Sequence, residues 1–295
     1  MDDNKNSYKI NSDKNNVKKM NNIKIPEIIY SRDTKGKILY IRHGQTKYNI
    51  DGKKTSKSEL KKKKEYLNCE LNEKGINQAK EASNKIKELK FEEIFCSPLY
   101  RTIQTAYYLF LNHPQKNIII KIHPLIVEIQ GGVHDFVTDI EKTKKEFNLN
   151  SEVKFDWSIF DNYYNTKIRQ ELFFFDFLDQ LDISGYKDKK EKIINNFGKE
   201  DLKNELTNLS IFGVENKWSK LETFNHAFKR NLEFKKFLQD TYGEKLNDTE
   251  LKIGVITHSA FTKISTSKLA YNMDIKDYPN DCCQIRNCEI ISMYL

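Results

Sequence analysis

Arg42 and His43 stand side by side at the end of a short apolar run, Ile38-Leu39-Tyr40-Ile41, and directly before Gly44. The run reads as a strand, and a strand end is a rigid place from which to present reactive side chains. Gly44 lets the backbone come close to a ligand and adopt conformations that a Cβ forbids. With six His and six Arg in the chain, an Arg-His-Gly triplet is expected roughly 0.005 times by chance. Alone, the triplet also fits a structural turn with a basic rim, so it needs partners. Ser97, Arg101 and His258 are candidates at a predicted strand end or helix start, and Glu128 is a further candidate in a loop.

The elements that must position these residues alternate. A strand over 37–41 is followed by a loop, 51–65, rich in lysine. Asn72 is a plausible N-cap for a helix whose Ile76, Ala79, Ala82, Ile86 and Leu89 recur at helical spacing. A short strand, 93–97, precedes Pro98, which fits the first position of a second helix burying Leu99, Ile103, Ala106 and Phe110. Residues 117–122 read as an apolar, central strand, and Leu125 to Gly132 as a loop carrying Glu128. A helix over 221–240, a strand over 252–257, a helix from Ser259 to Tyr271 and a last strand over 288–295 complete the pattern. Strands alternating with helices predict an α/β three-layer sandwich, a mostly parallel sheet with helices on both faces. Ligands of such sheets sit beyond the carboxyl ends of the strands. Arg42-His43, Ser97 and His258 all fall at such ends.

Residues 133–220 are aromatic-rich and read as a helical insert near the site, with Ile168, Leu172, Phe175 and Leu178 marking one amphipathic helix. The aromatics form either a small subcore or a lid. Residues 1–34 read as a disordered tail and 35–295 as one domain. Met1 to Asn22 lacks the apolar core of a secretory signal, and Asp2 excludes myristoylation. No apolar run approaches the ~20 residues needed to span a bilayer, so no membrane partner is expected. Five Cys without metal-ligand spacing fit reduced thiols in a cytoplasmic protein. The net charge of +8 comes from Lys, which favours anionic partners in general. No nucleic-acid motif is present, and nucleic acid is not expected. The lysines of 53–64 form either a solvated loop or an electropositive lip that steers phosphorylated substrates.

Several stretches together resemble the histidine phosphatase superfamily, in its phosphoglycerate mutase-like branch. They are Arg42-His43-Gly44 with Asn49, Leu71 to Gly75 with Gln78-Ala79, Ser97 to Arg101 with Gln104-Thr105-Ala106, Glu128 with Gly132, and Thr257-His258-Ser259. They stand in the family's order. The resemblance implies that His43 is the nucleophile and becomes phosphohistidine, its other ring nitrogen held by backbone near Gly44. Arg42, Arg101 and a protonated His258 would surround the phosphoryl oxygens, and Asn49 would add a neutral donor. Glu128 would be the general acid, with Asp135 the substitute, and His134 a rim residue. Gln45, Thr46 and Ser259 would line the pocket or cap turns. No metal is implied.

Two activities share such a site: a phosphatase passes the phosphoryl to water, and a mutase returns it to the bound molecule. Mutases carry Glu-Arg-His-Tyr-Gly after the acid, an Arg-Arg pair, and Gly-Asn after the second histidine. This chain has Glu128-Ile129-Gln130-Gly131-Gly132, no Arg-Arg, and Ser259-Ala260. The expectation is a phosphomonoester hydrolase for a small phosphorylated metabolite or a phosphoprotein. It needs no cofactor; 2,3-bisphosphoglycerate enters only in the alternative, a phosphoglycerate mutase of glycolysis. An anion- or partner-binding module on the same fold is the other alternative. A flat hydrophobic edge or the last strand offers a route to a homodimer.

Overall fold

The computed structural model describes residues 30–148, 153–163, 207, 222, 224–247, 250–266 and 285–293. Strands β1 (Tyr30–Ser31), β2 (Ile38–Arg42), β3 (Phe91–Cys96), β4 (Ile119–Ile122), β5 (Lys154–Asp156), β6 (Lys252–Thr257) and β7 (Ile290–Met293) form one sheet. Its order is β1-β7-β2-β6-β3-β4-β5. The pairs β2–β6, β6–β3, β3–β4 and β4–β5 are parallel, and β7 runs antiparallel to both β1 and β2. The sandwich is thus α/β with a mostly parallel sheet, as the alternation predicts.

Period-two burial on β2 explains the layers. Leu39 and Ile41 face one core, with Ala79, Ala82 and Ile86 of helix α3 (Glu73–Ile86) and Ile103, Ala106 and Phe110 of α4 (Tyr100–Phe110). Ile38 and Tyr40 face the other, with Phe234 and Leu238 of α7 (Phe224–Asn247) and Phe261 of α8 (Ser259–Thr266). Each Leu, Ile and Phe among these contributes about 1.5–3 kcal/mol on burial. Both faces of the central strands are covered, so these strands read as continuous apolar runs.

Four expectations need correction. The ordered chain begins before Gly36, because Tyr30 and Ser31 pair with Met293 and Ser292, so residues 30–34 do not belong to a tail. The strand at 117–122 is interior, but the central place belongs to β6, and Ile119 is exposed at the start of β4. Pro98 lies ahead of α4, whose N-cap is Leu99. The segment from 133 is not only helical: beside α5 (Ile140–Asn148) and α6 (Ser158–Tyr163) it supplies β5 to the sheet. Its aromatics Phe147, Phe155, Trp157 and Phe160 belong to the main core with α4. The helix expected around Ile168 to Leu178 lies outside the described residues, as do the last turn of the helix expected to reach Tyr271 and the dipeptide Cys282-Cys283.

Candidate active site

Register brings the strand ends to one level. Arg42 pairs with Thr257, and Cys96 with Ile256. The first residues past the ladder continue it, since His43 N donates to Thr257 O at 3.0 Å and Ser97 N to Ile256 O at 3.0 Å. His43, His258 and Ser97 are therefore neighbours by backbone geometry. The two imidazole centroids are 5.2 Å apart, and His258 Nε2 lies 2.8 Å from Ser97 Oγ.

His43 is buried and its Nδ1 lies 2.7 Å from Gly44 O. A carbonyl only accepts, so Nδ1 carries the proton and the Nε2 lone pair is left available. Burial pushes the His43 pKa well below its ordinary value, and the Arg101 and Arg42 guanidinium groups push it further, against the pull of the Gly44 carbonyl. The ring is neutral at neutral pH, as a nucleophile must be. His258 is also held well below its ordinary value, first by burial, then by Arg101, His43 and Arg42. The expected protonated His258 is therefore not the form this protein environment favours by itself. Protonation requires a negative charge within reach.

Arg101, in the first turn of α4, is buried against Asp135: Nη2 donates to Oδ1 at 2.9 Å, and Nη1 to His134 O. Asp135 Oδ2 accepts from Gly131 N at 2.9 Å and faces His134 Nε2 at 3.2 Å. Asp135 is thus a holder of Arg101, with both oxygens engaged. His134 stacks on Tyr48 with centroids 3.6 Å apart, a rim position. Arg42 donates from Nη1 to Ile285 O at 2.9 Å. Among the described residues, Arg42 Nε and His258 Nδ1 are buried with no hydrogen-bond partner.

Glu128 is close enough to Arg42 to support its charge against burial. Its Oε1 accepts from Ile129 N at 2.9 Å and Phe261 N at 3.1 Å, and its Oε2 from Ala260 N at 3.3 Å. The carboxyl group therefore sits on the N-terminus of α8, directly after His258.

The remaining expected residues divide. Thr46 caps α1 (Lys47–Asp51) in a capping box with Asn49, whose Oδ1 accepts from Thr46 N at 3.1 Å and Asn287 Nδ2 at 3.3 Å. Gln45 Oε1 accepts from Asn72 Nδ2 at 3.2 Å. Thr46, Asn49 and Gln45 thus build the turn after β2, and their contacts are with protein. Gly44 also serves the turn: a Cβ there would stand 2.5 Å from Gly75 O, so its backbone packs closely on α3. Ser259 is half-buried at the start of α8, beside His258.

Sequence reasoning quoted Gln78, Gln104 and Thr105 in the matching stretches without giving them a role, and it missed Asn287. Thr105 Oγ1 accepts a hydrogen bond from Gly44 N at 3.0 Å and donates to Arg101 O at 2.7 Å. Gln78 Oε1 accepts from Gln45 N, and Gln104 Oε1 from Leu71 N. Asn287 Nδ2 donates to His43 O at 3.0 Å. Buried Glu222 and Arg230 were also missed, although a Glu eight positions ahead of one of only six Arg was visible. No group of three or more His, Cys, Asp or Glu among the described residues could hold a metal ion. No described helix is long and apolar enough to cross a membrane.

The strand ends, the histidine pair and the buried arginines form one cluster, and part of the chain that builds it has known relatives. Residues 38–161, less than half of the chain, match the histidine phosphatase superfamily (branch 1). Among curated proteins, it is similar to 2,3-bisphosphoglycerate-dependent phosphoglycerate mutase 2 of Lactiplantibacillus plantarum, 36% identical over 74 residues, 24% of this chain and 28% of that protein. The corresponding mutase of Lactobacillus acidophilus is 35% identical over 74 residues, with the same shares of 24% and 28%. The chain spans about 28% of the length of these relatives. Among solved structures, it is similar to mycobacterial glucosyl-3-phosphoglycerate phosphatase at 14% identity, covering 86% of this chain and 89% of that one with a TM-score of 0.47. Entamoeba histolytica phosphoserine phosphatase is 18% identical, covering 86% and 88%, with a TM-score of 0.42.

Proposed function

We propose that this protein is a phosphomonoester hydrolase that transfers the phosphoryl group of a small phosphorylated substrate through His43 to water. The observation that carries this is His43 itself: neutral, with Nδ1 tied to Gly44 O, and hence with Nε2 free to attack.

Nε2 forms a bond to phosphorus as the ester oxygen leaves. The charge on the three phosphoryl oxygens is met by Arg42 and Arg101, whose guanidinium groups are fixed by Ile285 O and Asp135. Arg42 Nε and His258 Nδ1, buried without partners among the described residues, are donors for those oxygens. Ser97 Oγ donating to His258 Nε2 leaves the proton on Nδ1, and the phosphoryl dianion supplies the negative charge that His258 needs to protonate. Glu128 leaves its amide contacts on α8, gives a proton to the leaving oxygen and takes one from the incoming water. No cofactor takes part. Hydrolysis rather than mutation is supported by the absence of any Arg-Arg pair and by Ile129-Gln130-Gly131 following the acid.

The test is phosphate release from a panel of phosphomonoesters beside a coupled 2- and 3-phosphoglycerate assay with 2,3-bisphosphoglycerate. Release lowered at least about 10³-fold in His43→Ala, with slow isomerisation, supports the proposal. Fast isomerisation without release overturns it in favour of a mutase. Silence in both assays, with no thermal shift from vanadate, moves the protein to the binding modules.

A further inference from the structure

The segment Val127 to Gly132 is buried and belongs to no helix or strand. Such a segment has no ladder to pair its backbone groups, so its bonds must come from elsewhere in the protein. Gly131 N reaches Asp135 Oδ2 and Ile129 N the Glu128 carboxylate, and most of the others come from two residues, Arg230 and Glu222. Arg230 Nη1 donates to Leu125 O at 2.5 Å and Val127 O at 3.1 Å, and its Nη2 reaches Glu128 O at 3.5 Å. Glu222 Oε2 accepts from Gln130 N at 3.2 Å, and Glu222 N donates to Gln130 O at 3.1 Å. The two are locked together: Arg230 Nε donates to Glu222 Oε1 at 2.7 Å and Nη2 to Oε2 at 2.9 Å. His226 Nδ1, one turn along α7, lies 2.7 Å from Glu222 Oε1. Both partners of the pair are buried, Arg230 at 3% exposure and Glu222 at 1%.

We infer that Glu222 and Arg230 are positioning residues for Glu128, fixing its backbone from the α7 side so that its carboxyl group meets the leaving oxygen. A forked pair holding the carbonyls before and at Glu128 and both backbone groups of Gln130 leaves the intervening residue little rotational freedom. This rests on the reading of Glu128 as the proton donor. In that step the phosphorus–oxygen bond breaks as the Nε2–phosphorus bond forms. The Glu128 proton passes to the leaving oxygen; water then bonds to phosphorus as the Nε2–phosphorus bond breaks, frees His43 and returns a proton to the carboxylate. General acid catalysis of this kind is worth typically 10²–10⁴-fold, and a displacement on the order of 1 Å costs about 10²-fold.

The test uses leaving groups that differ in their need for a proton. Arg230→Lys and the milder His226→Ala are compared with wild type on p-nitrophenyl phosphate, whose phenolate leaves unaided, and on an alkyl phosphate. The expected result is a loss of about 10²-fold in kcat/KM on the alkyl ester for Arg230→Lys and under about threefold on the nitrophenyl ester. His226→Ala should show the same split, smaller. In a Glu128→Gln background, Arg230→Lys should cost nothing further on the alkyl ester. Equal losses on both esters, or an undiminished effect in that background, overturn the inference, because the pair then acts on the fold or on phosphoryl binding. A Glu128→Gln variant that hydrolyses both esters like wild type overturns the reading of Glu128. A wild type silent on both overturns the hydrolase itself.

Discussion

His43 Nδ1 lies 2.7 Å from the carbonyl oxygen of its own neighbour, Gly44, and that one bond decides which ring nitrogen is free. The bond holds only while the turn after β2 keeps its shape. The turn is kept by contact with α3: Gly44 meets the Gly75 backbone and Gly75 meets that of Gln45, each with no room for a methyl group.

Gly75→Ala therefore forces these backbones apart. We expect a loss of about 1–3 kcal/mol in urea denaturation, with phosphate release falling further than the folded fraction. Gly243→Ala in α7, where an added Cβ meets only the flexible Gln239 side chain, should instead gain about 0.5–1 kcal/mol. Equal effects of the two substitutions would count against the turn as the constraint.

Asp135→Asn leaves the buried Arg101 guanidinium without its counter-ion. The side chains of this pair are 4% and 1% exposed, and breaking such a pair costs about 3–5 kcal/mol. Glu65→Gln, which opens the exposed contact with Lys47 at 3.3 Å, should leave the denaturation midpoint unchanged, because solvent screens that pair. Chemical denaturation of both variants is the check.

Stability should fall on acidification below the ordinary histidine pKa. His43 and His258 are held well below that value, and burial brings His123 down to about 3. Below pH ~6.5 the unfolded chain binds protons that the folded protein refuses, so each of these groups costs up to about 1.4 kcal/mol per pH unit. The contribution is complete above pH ~6.5 and is lost as pH falls towards the folded values. A melting temperature flat from pH 7 to 5 would contradict it. In His258→Asn the decline should be shallower by one group.

Substrate capture should weaken with salt. The lysine-rich segment folds into α1 and α2 (Lys57–Leu60) and packs beside the site, Tyr48, Leu60, Tyr66 and Val133 sharing one apolar cluster. Lys53, Lys54 and Lys57 are exposed there. Replacing the three with Glu should lower kcat/KM about tenfold at low ionic strength with little change in kcat, and the difference should shrink as salt shortens the Debye length to ~8 Å. A gap independent of salt would exclude steering.

Much of the site was legible because its residues stand at strand ends. Apolar runs mark β2, β3 and β6, and Arg42, His43, Ser97 and His258 follow from where those runs stop. For Gln45 and Thr46 the sequence left pocket lining and turn capping open, and the bonds that Asn49 and Gly44 make within the turn were not legible. A polar side chain beside a turn looks alike in sequence whether it faces substrate or caps a helix, and only the partner tells. Asp135 could be read as a spare acid because nothing local shows that Arg101, far away in the chain, claims it. Glu222, Arg230 and Asn287 were missed for the same reason: their bonds run to segments more than 90 residues away in most cases, such as Arg230 to Val127 and Asn287 to His43.

The sequence alone determined the alternation of strands and helices and the apolar face of the helices after β2 and β3, and it singled out the candidate reactive groups. Those follow from local periodicity and from side-chain chemistry, which need no partner. The tertiary structure decided the charge state of the histidines, the free nitrogen of His43, the pairing of Arg101 with Asp135, and the seat of Glu128 on α8. Each of these depends on desolvation or on a hydrogen bond between groups distant in the chain, quantities that exist only once parallel register has brought the strand ends together.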